Sequence, residues 1–131
     1  MPGDNAKKAL IDSLNGLLAD YFTLYLKTKN FHWHVSGPHF RDLHLLFDEQ
    51  SAEIFALTDI IAERVRKNGG ATLTSTGAIA GKASIKDDDR AKVDAMNMVK
   101  ALRDDNAKLV EAIRGVKEAA TEAGGNATEG M

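Results

Sequence analysis

The chain has 131 residues, a formal net charge of −2 and no cysteine, so one domain can bury a core, but no second module fits and no bulk basic field draws in nucleic acid or an anionic membrane. Lacking cysteine excludes disulfide scaffolds, thiolate metal sites and cysteine nucleophiles; histidine and carboxylate remain as ligands, in keeping with a reducing compartment. The opening Met1 to Lys8 has no apolar run of the signal-peptide kind and no later window approaches the roughly 18 apolar residues of a membrane span, so a soluble, cytoplasmic protein with no membrane partner is expected.

From Ala6 to about Val35, Leu10, Leu14, Leu17, Tyr21, Leu24 and Phe31 recur in steps that keep them on one face of a long first helix. Ser36-Gly37-Pro38 interrupts it, and Pro38 suits the first turn of a new helix, where its missing N–H has no partner to lose. The second helix carries Phe40, Leu43, Phe47, Ile54, Leu57, Ile61 and Val65 as its apolar stripe and stops at Asn68-Gly69-Gly70, where glycine accepts the left-handed conformation. Residues 71 to 86 turn to Thr, Ser, Gly and Ala, a crossover with a short helical turn expected over Ala78 to Lys82. Asp87-Asp88-Asp89 is read as the start of a third long helix, whose dipole favours negative charge there, although an acidic entry path for cations is an alternative. Val93, Met96, Val99, Leu102, Leu109, Ile113 and Val116 continue that helix to Gly124-Gly125. No repeat and no strand-like alternation appear, and the class is all-α.

The second helix holds two pairs at i, i+4 spacing, His44 with Asp48 and Asp59 with Glu63. At about 100° per residue, with Phe40 at zero, the apolar stripe centres near roughly 310°, whereas these four lie at about 40°, 80°, 100° and 140°. They share one face, turned away from the intrachain core. Leu45, Ala52, Phe55, Ala56 and Ala62 fall on that face too, giving a partly apolar, small-residue surface able to accept another helix, while Asp42, Glu49, Glu53 and Lys67 form the more uniform solvent face. Fifteen residues separate His44 from Asp59, about 22 Å of helix, far beyond the roughly 3.5–4 Å between the ions of a two-metal centre. One chain cannot close such a site. Two copies of the helix, antiparallel about a two-fold axis, bring His44 and Asp48 of one subunit to Asp59 and Glu63 of the other, twice over. His32, at the end of the first helix, can join His44 across the tight connection. Mixed imidazole and carboxylate ligation suits iron, with zinc and manganese as chemically competent competitors, and the Glu-x-x-His motif of di-iron sites inside single bundles is absent.

The run Lys29-Asn30-Phe31-His32-Trp33-His34, followed by Gly37, Phe40, Leu43-His44, Asp48, Asp59 and Ala62-Glu63-Arg64, resembles the Dps family of mini-ferritins. The steps from His32 of twelve, four, eleven and four to His44, Asp48, Asp59 and Glu63 are far more specific than either pair alone. The likeness runs from about residue 7 to about residue 120 and is strongest over 29 to 70. It implies a single ferritin-like domain, a four-helix bundle with a short crossover helix, assembled as a dodecameric cage that oxidises Fe(II), preferably with hydrogen peroxide rather than oxygen, and stores the ferric mineral. By the same likeness His32, His44 and Asp48 match ligands from one subunit, Asp59 and Glu63 those from its partner, and Trp33 an aromatic residue beside the centre. Two departures stand out. The family's fourth long helix begins where this sequence reads Asn126 to Met131, so the expected domain, residues 1–131, is C-terminally incomplete. The N-terminal tail offers only Lys7 and Lys8 where DNA-binding relatives carry more basic residues, so DNA binding is not inherited by resemblance.

Each residue also has a plainer reading. His44 alone is more often a surface or structural histidine, and Asp59 and Glu63 alone a solvated patch paired with Arg66 or Arg64 for little energy. His34 and His39 fit exposed or capping roles, Trp33 core or interface packing, and Met96 and Met98 packing. The leading function is a ferroxidase protecting against oxidative damage by storing iron; the alternatives are a non-specific DNA-compacting protein and a metal-binding dimer without storage.

Overall fold

A computed structural model describes residues 2–124. Four helices follow in order: α1 Pro2–His34, α2 Phe40–Lys67, α3 Thr76–Lys82 and α4 Ala95–Ala123. Among the described residues there is no strand, and no helix is long and apolar enough to cross a membrane. The all-α class and the short crossover helix are as expected; the start of a further helix at 126–131 lies outside the described residues.

The apolar stripe of α1 is buried throughout, and Leu10, Leu14, Leu17, Leu18, Leu24 and Phe31 form the spine of the core. Both α2 and α4 pack on it. α2 stops as read from the sequence: Asn68 N–H bonds back to the Arg64 and Val65 carbonyls, and Gly69 follows at φ +85°, a conformation that side chains rarely adopt. Its start differs. His39, with non-helical φ −105° and ψ 23°, is the residue before the first turn, so Pro38 lies in the turn and not in the helix.

α1 also guides the crossover, and its polar side chains do the guiding. Lys7 donates to Asn68 and Asn15 to the Ala71 carbonyl, while Lys82 of α3 pairs with Asp12. The buried Asp20 carboxylate accepts from the Ser84 N–H at 2.7 Å, the Ser84 hydroxyl at 2.7 Å and the Ile85 N–H at 3.0 Å. Lys27 then donates to the Lys86 carbonyl, and Asn30 to those of Asp88 and Arg90. The chain thereby returns to the end of α1 where α2 began, and α4 runs antiparallel to α1.

This ladder explains why the Asp87–Asp89 run does not start a helix. The carbonyls of residues 86, 88 and 90 are committed to α1, and Asp88 folds onto its own neighbour, accepting from the Arg90 N–H, Nε and Nη2. The Arg90 guanidinium holds the Asp88 carboxyl down at about 2. The helix begins seven residues after Asp88: Asp94 is the N-cap, its Oδ1 accepting from the Asn97 N–H at 2.9 Å, and Ala95 is the first helical residue. With that start, the core face of α4 is Met98, Leu102, Asp105, Leu109, Val116 and Ala120. Met96 and Val99, read as part of the stripe, are exposed, as are Phe40 and Leu57 of α2. The position of Leu57 on α2 lies toward the edge of the stripe.

Asp105 is a charge in the core, and Lys27 answers it at 2.7 Å, both side chains less than a tenth exposed. Removing one member of a buried pair strands the other, which costs about 3–5 kcal/mol. Lys27 keeps the Lys86 carbonyl as an acceptor, which places Asp105→Ala at the low end, about 3 kcal/mol in urea unfolding. The double replacement Lys27→Met with Asp105→Leu, which leaves no stranded charge, is expected to recover most of that loss; equal losses in the single and double variants would contradict the assignment.

Candidate metal centre

The tight turn sets the last turn of α1 beside the first turns of α2. There the His32 and His44 rings stack, centroids 3.9 Å apart and planes inclined by 21°, and Phe40 stacks on the other face of His44 at 5.1 Å. Each imidazole is fixed by the other's backbone. His32 Nδ1 donates to the His44 carbonyl at 2.7 Å, and His44 Nδ1 to the His32 carbonyl at 2.8 Å. The His32 carbonyl lies in the last turn of α1, where helical carbonyls lack intrahelical partners. A carbonyl only accepts, so each Nδ1 carries the hydrogen, and in the neutral rings each Nε2 presents a bare lone pair. This is the arrangement by which proteins orient metal-ligating histidines.

Asp48, one turn after His44, joins them. Its Oδ1 lies 3.8 Å from His32 Nε2 and accepts from Lys29 Nζ at 2.7 Å. The Lys29 ammonium holds the Asp48 carboxyl below its ordinary range, and the same bond raises Lys29. Three of the five candidate ligands, His32, His44 and Asp48, are thus gathered at one end of α2.

Asp59 and Glu63 are not among them. Both are exposed farther along α2, with no hydrogen bond or ion pair among the described residues. Neither pairs with Arg64 or Arg66, and the Arg66 guanidinium bonds the Gly70 carbonyl instead. No group of three or more His, Asp or Glu side chains able to hold a metal ion is found among the described residues. Between the two ends, the same face exposes Leu45, Ala52, Phe55 and Ala56. Phe55 is backed by Tyr25 and Phe22 of α1, with ring centroids 4.9 and 6.5 Å away.

The remaining candidates take smaller parts. His34 is exposed and donates to the Asn30 carbonyl; His39 is exposed at the N-cap without a capping bond from its side chain. Trp33 is 59% exposed, outside the core, and lines an open groove of about 630 Å³ with Leu26, Ile79 and Asp87. Two residues at the centre had no role in the sequence reading. Phe40 was placed in the core stripe, although a step of four from Phe40 to His44 is a stacking distance on a helix. Lys29 precedes His32 by three, the spacing that puts both on one face of α1.

The reciprocal clamp makes a direct spectroscopic prediction. Long-range 1H–15N correlation of the neutral rings, in the alkaline limit of their titration, should show His32 and His44 both as Nδ1–H tautomers. An Nε2–H tautomer at either residue would refute the clamp.

With the geometry in hand, the likeness to known proteins is informative. Residues 11–131 match the model of the family described as the ferritin-like domain. A DNA protection during starvation protein of Brevibacillus brevis is 36% identical over 118 residues, covering 90% of this chain and 78% of that one. A low temperature-induced protein of Nostoc sp. is 37% identical over 85% of this chain, which spans only 62% of that relative's length. The crystal structure of a Dps protein from Bacillus brevis superposes with a TM-score of 0.90 at 34% identity, over 95% of this chain and 83% of that chain. The chain belongs to the ferritin-like family, as a Dps-type mini-ferritin.

Proposed function

We propose that the protein is a ferroxidase whose centre is completed between two subunits: His32, His44 and Asp48 from one, Asp59 and Glu63 from its partner across a two-fold axis. The observation that carries this reading is the histidine clamp, which leaves both Nε2 atoms unused and sets that of His32 3.8 Å from the Asp48 carboxylate, while the matching acids lie about 22 Å along the same rigid helix. Metal–nitrogen and metal–oxygen bonds of about 2.1 Å each let one ion bridge the 3.8 Å gap between His32 Nε2 and Asp48 Oδ1. Imidazole and carboxylate together accept iron in both oxidation states, whereas zinc and manganese compete for the ferrous site.

Fe(II) is the substrate. Two ferrous ions give up one electron each, hydrogen peroxide takes both, its O–O bond breaks, and two protons complete two waters; oxygen is the slower alternative acceptor. The protein's own part is to bind the ions with unprotonated imidazole and ionised carboxylate. Within a cage of twelve subunits in the cytoplasm, the ferric product is retained as mineral, so storage and protection from oxidative damage are one process. The competing DNA-compacting reading has less support: Lys7 lies in α1 and is bonded to Asn68.

Stopped-flow mixing of Fe(II) and peroxide with the protein should give a fast rise in ferric absorbance, slowed at least about hundredfold in a His44→Ala, Asp59→Ala variant, the scale of losing ligands that position a metal. Equal rates in the two proteins would overturn the proposal.

A further inference from the structure

The first turn of α4 carries two methionines in opposite environments. Met96 is 74% exposed, whereas Met98 is 1% exposed and belongs to the core cluster that holds Leu102 and Leu109. Two residues apart on a helix, their side chains diverge by about 160°, so one sulfur meets water and the other does not. We propose that Met96 is a site of reversible oxidation by hydroperoxides, while burial keeps Met98 reduced. The Met96 sulfur lone pair attacks one oxygen of hydrogen peroxide and the O–O bond breaks. Sulfur is oxidised to the sulfoxide, and the second oxygen leaves as water. A thiol-dependent methionine sulfoxide reductase reverses the step: two thiols supply the electrons, become a disulfide, and the sulfoxide oxygen leaves as water.

The fold tolerates an added oxygen at Met96 and not at Met98. The cap that starts α4 is made by Asp94, which accepts from the Asn97 N–H through its side chain and from the Met98 N–H through its carbonyl, and the Met96 side chain takes no part in it. The positive end of the helix dipole lies at this turn and favours the negative oxygen of the S–O bond. At Met98 the same oxygen would enter an apolar cluster, where an unpartnered polar group is costly. Peroxide in excess of Fe(II) is then met by a sulfur whose oxidation leaves the core intact. Hydrogen peroxide is also the oxidant of the reaction proposed above, but the sulfur chemistry needs no metal and no second subunit, so the two readings stand or fall separately.

Hydrogen peroxide treatment of the full chain, assembled as purified and held in chelator, tests this. Trypsin digestion gives the peptide 93–100, which contains Met96 and Met98 and neither terminal methionine, and tandem mass spectrometry assigns the added oxygen within it. In the folded protein Met96 should be oxidised at least about tenfold faster than Met98, and in urea the two rates should converge. Met96→Leu should abolish the fast oxidation and leave the slow one at Met98 unchanged. Protein oxidised at Met96 should keep its helical circular dichroism, and sulfoxide reductases for both sulfoxide epimers should restore the original mass. Equal rates at the two methionines in the folded protein, loss of helix on oxidation of Met96, or a Met96 sulfoxide that the reductases leave in place would each overturn the inference.

Discussion

An α-helix of ordinary pitch advances about 1.5 Å per residue and cannot fold back on itself, and that stiffness governs how α2 works. One face of α2 carries His44 and Asp48 at one end and Asp59 and Glu63 at the other, and no rearrangement within the chain brings them together. The core face, with Phe47, Ile54, Ile61 and Val65, is already committed to the chain's own packing. The face with His44, Asp48, Asp59 and Glu63 touches α1 through His44, Asp48 and Phe55 but exposes Asp59, Glu63 and the small residues Ala52 and Ala56, a surface that suits a second helix. In the proposed dimer, two-fold symmetry pairs opposite ends of the helix and gives two equivalent centres.

α1 supplies the rigidity on which such a centre depends. It fixes α2 across a short turn and directs the crossover through Asp20, Lys27 and Asn30, so α4 returns without disturbing the end where the histidines meet. The histidine clamp uses the carbonyl His32 leaves free in the last turn of its helix to orient the neighbouring ring. Both rings are consequently aimed before any metal is present, and little side-chain freedom remains to be lost on binding.

The sequence carried much of this because helical periodicity reports faces directly: the α1 stripe, the α2 face shared by His44, Asp48, Asp59 and Glu63, and the glycine stop at Gly69 all follow from spacing. It misled where a feature had two physical readings. The Asp87–Asp89 run has the composition of a helix start, yet three carbonyls around it are taken by side chains of α1 nearly 60 residues earlier in the chain, contacts that no local pattern announces. Phe40 and Met96 have core chemistry at stripe spacing but are exposed, although Leu43, Ala95 and Met98 beside them pack into the core. Asp105 and Lys27 look like surface charges on their own helices and become legible only as a pair. The candidate centre shows the same division: spacing picked out His32, His44 and Asp48, which the fold brings together, while the Nδ1 clamp and the Lys29 contact emerge only when two helix ends meet.

Sharing between subunits is the central claim, and complementation tests it most directly. One chain bearing His44→Ala and Asp48→Asn is co-expressed in equal amount with a second bearing Asp59→Ala and Glu63→Gln. Each mixed dimer then contains one centre with all its ligands and one with none of these four. With random pairing about a quarter of all centres are intact, so the mixture should recover about a quarter of the peroxide-driven Fe(II) oxidation, while each variant alone shows almost none. If the mixture is as inactive as its components, the centre is not built from two subunits.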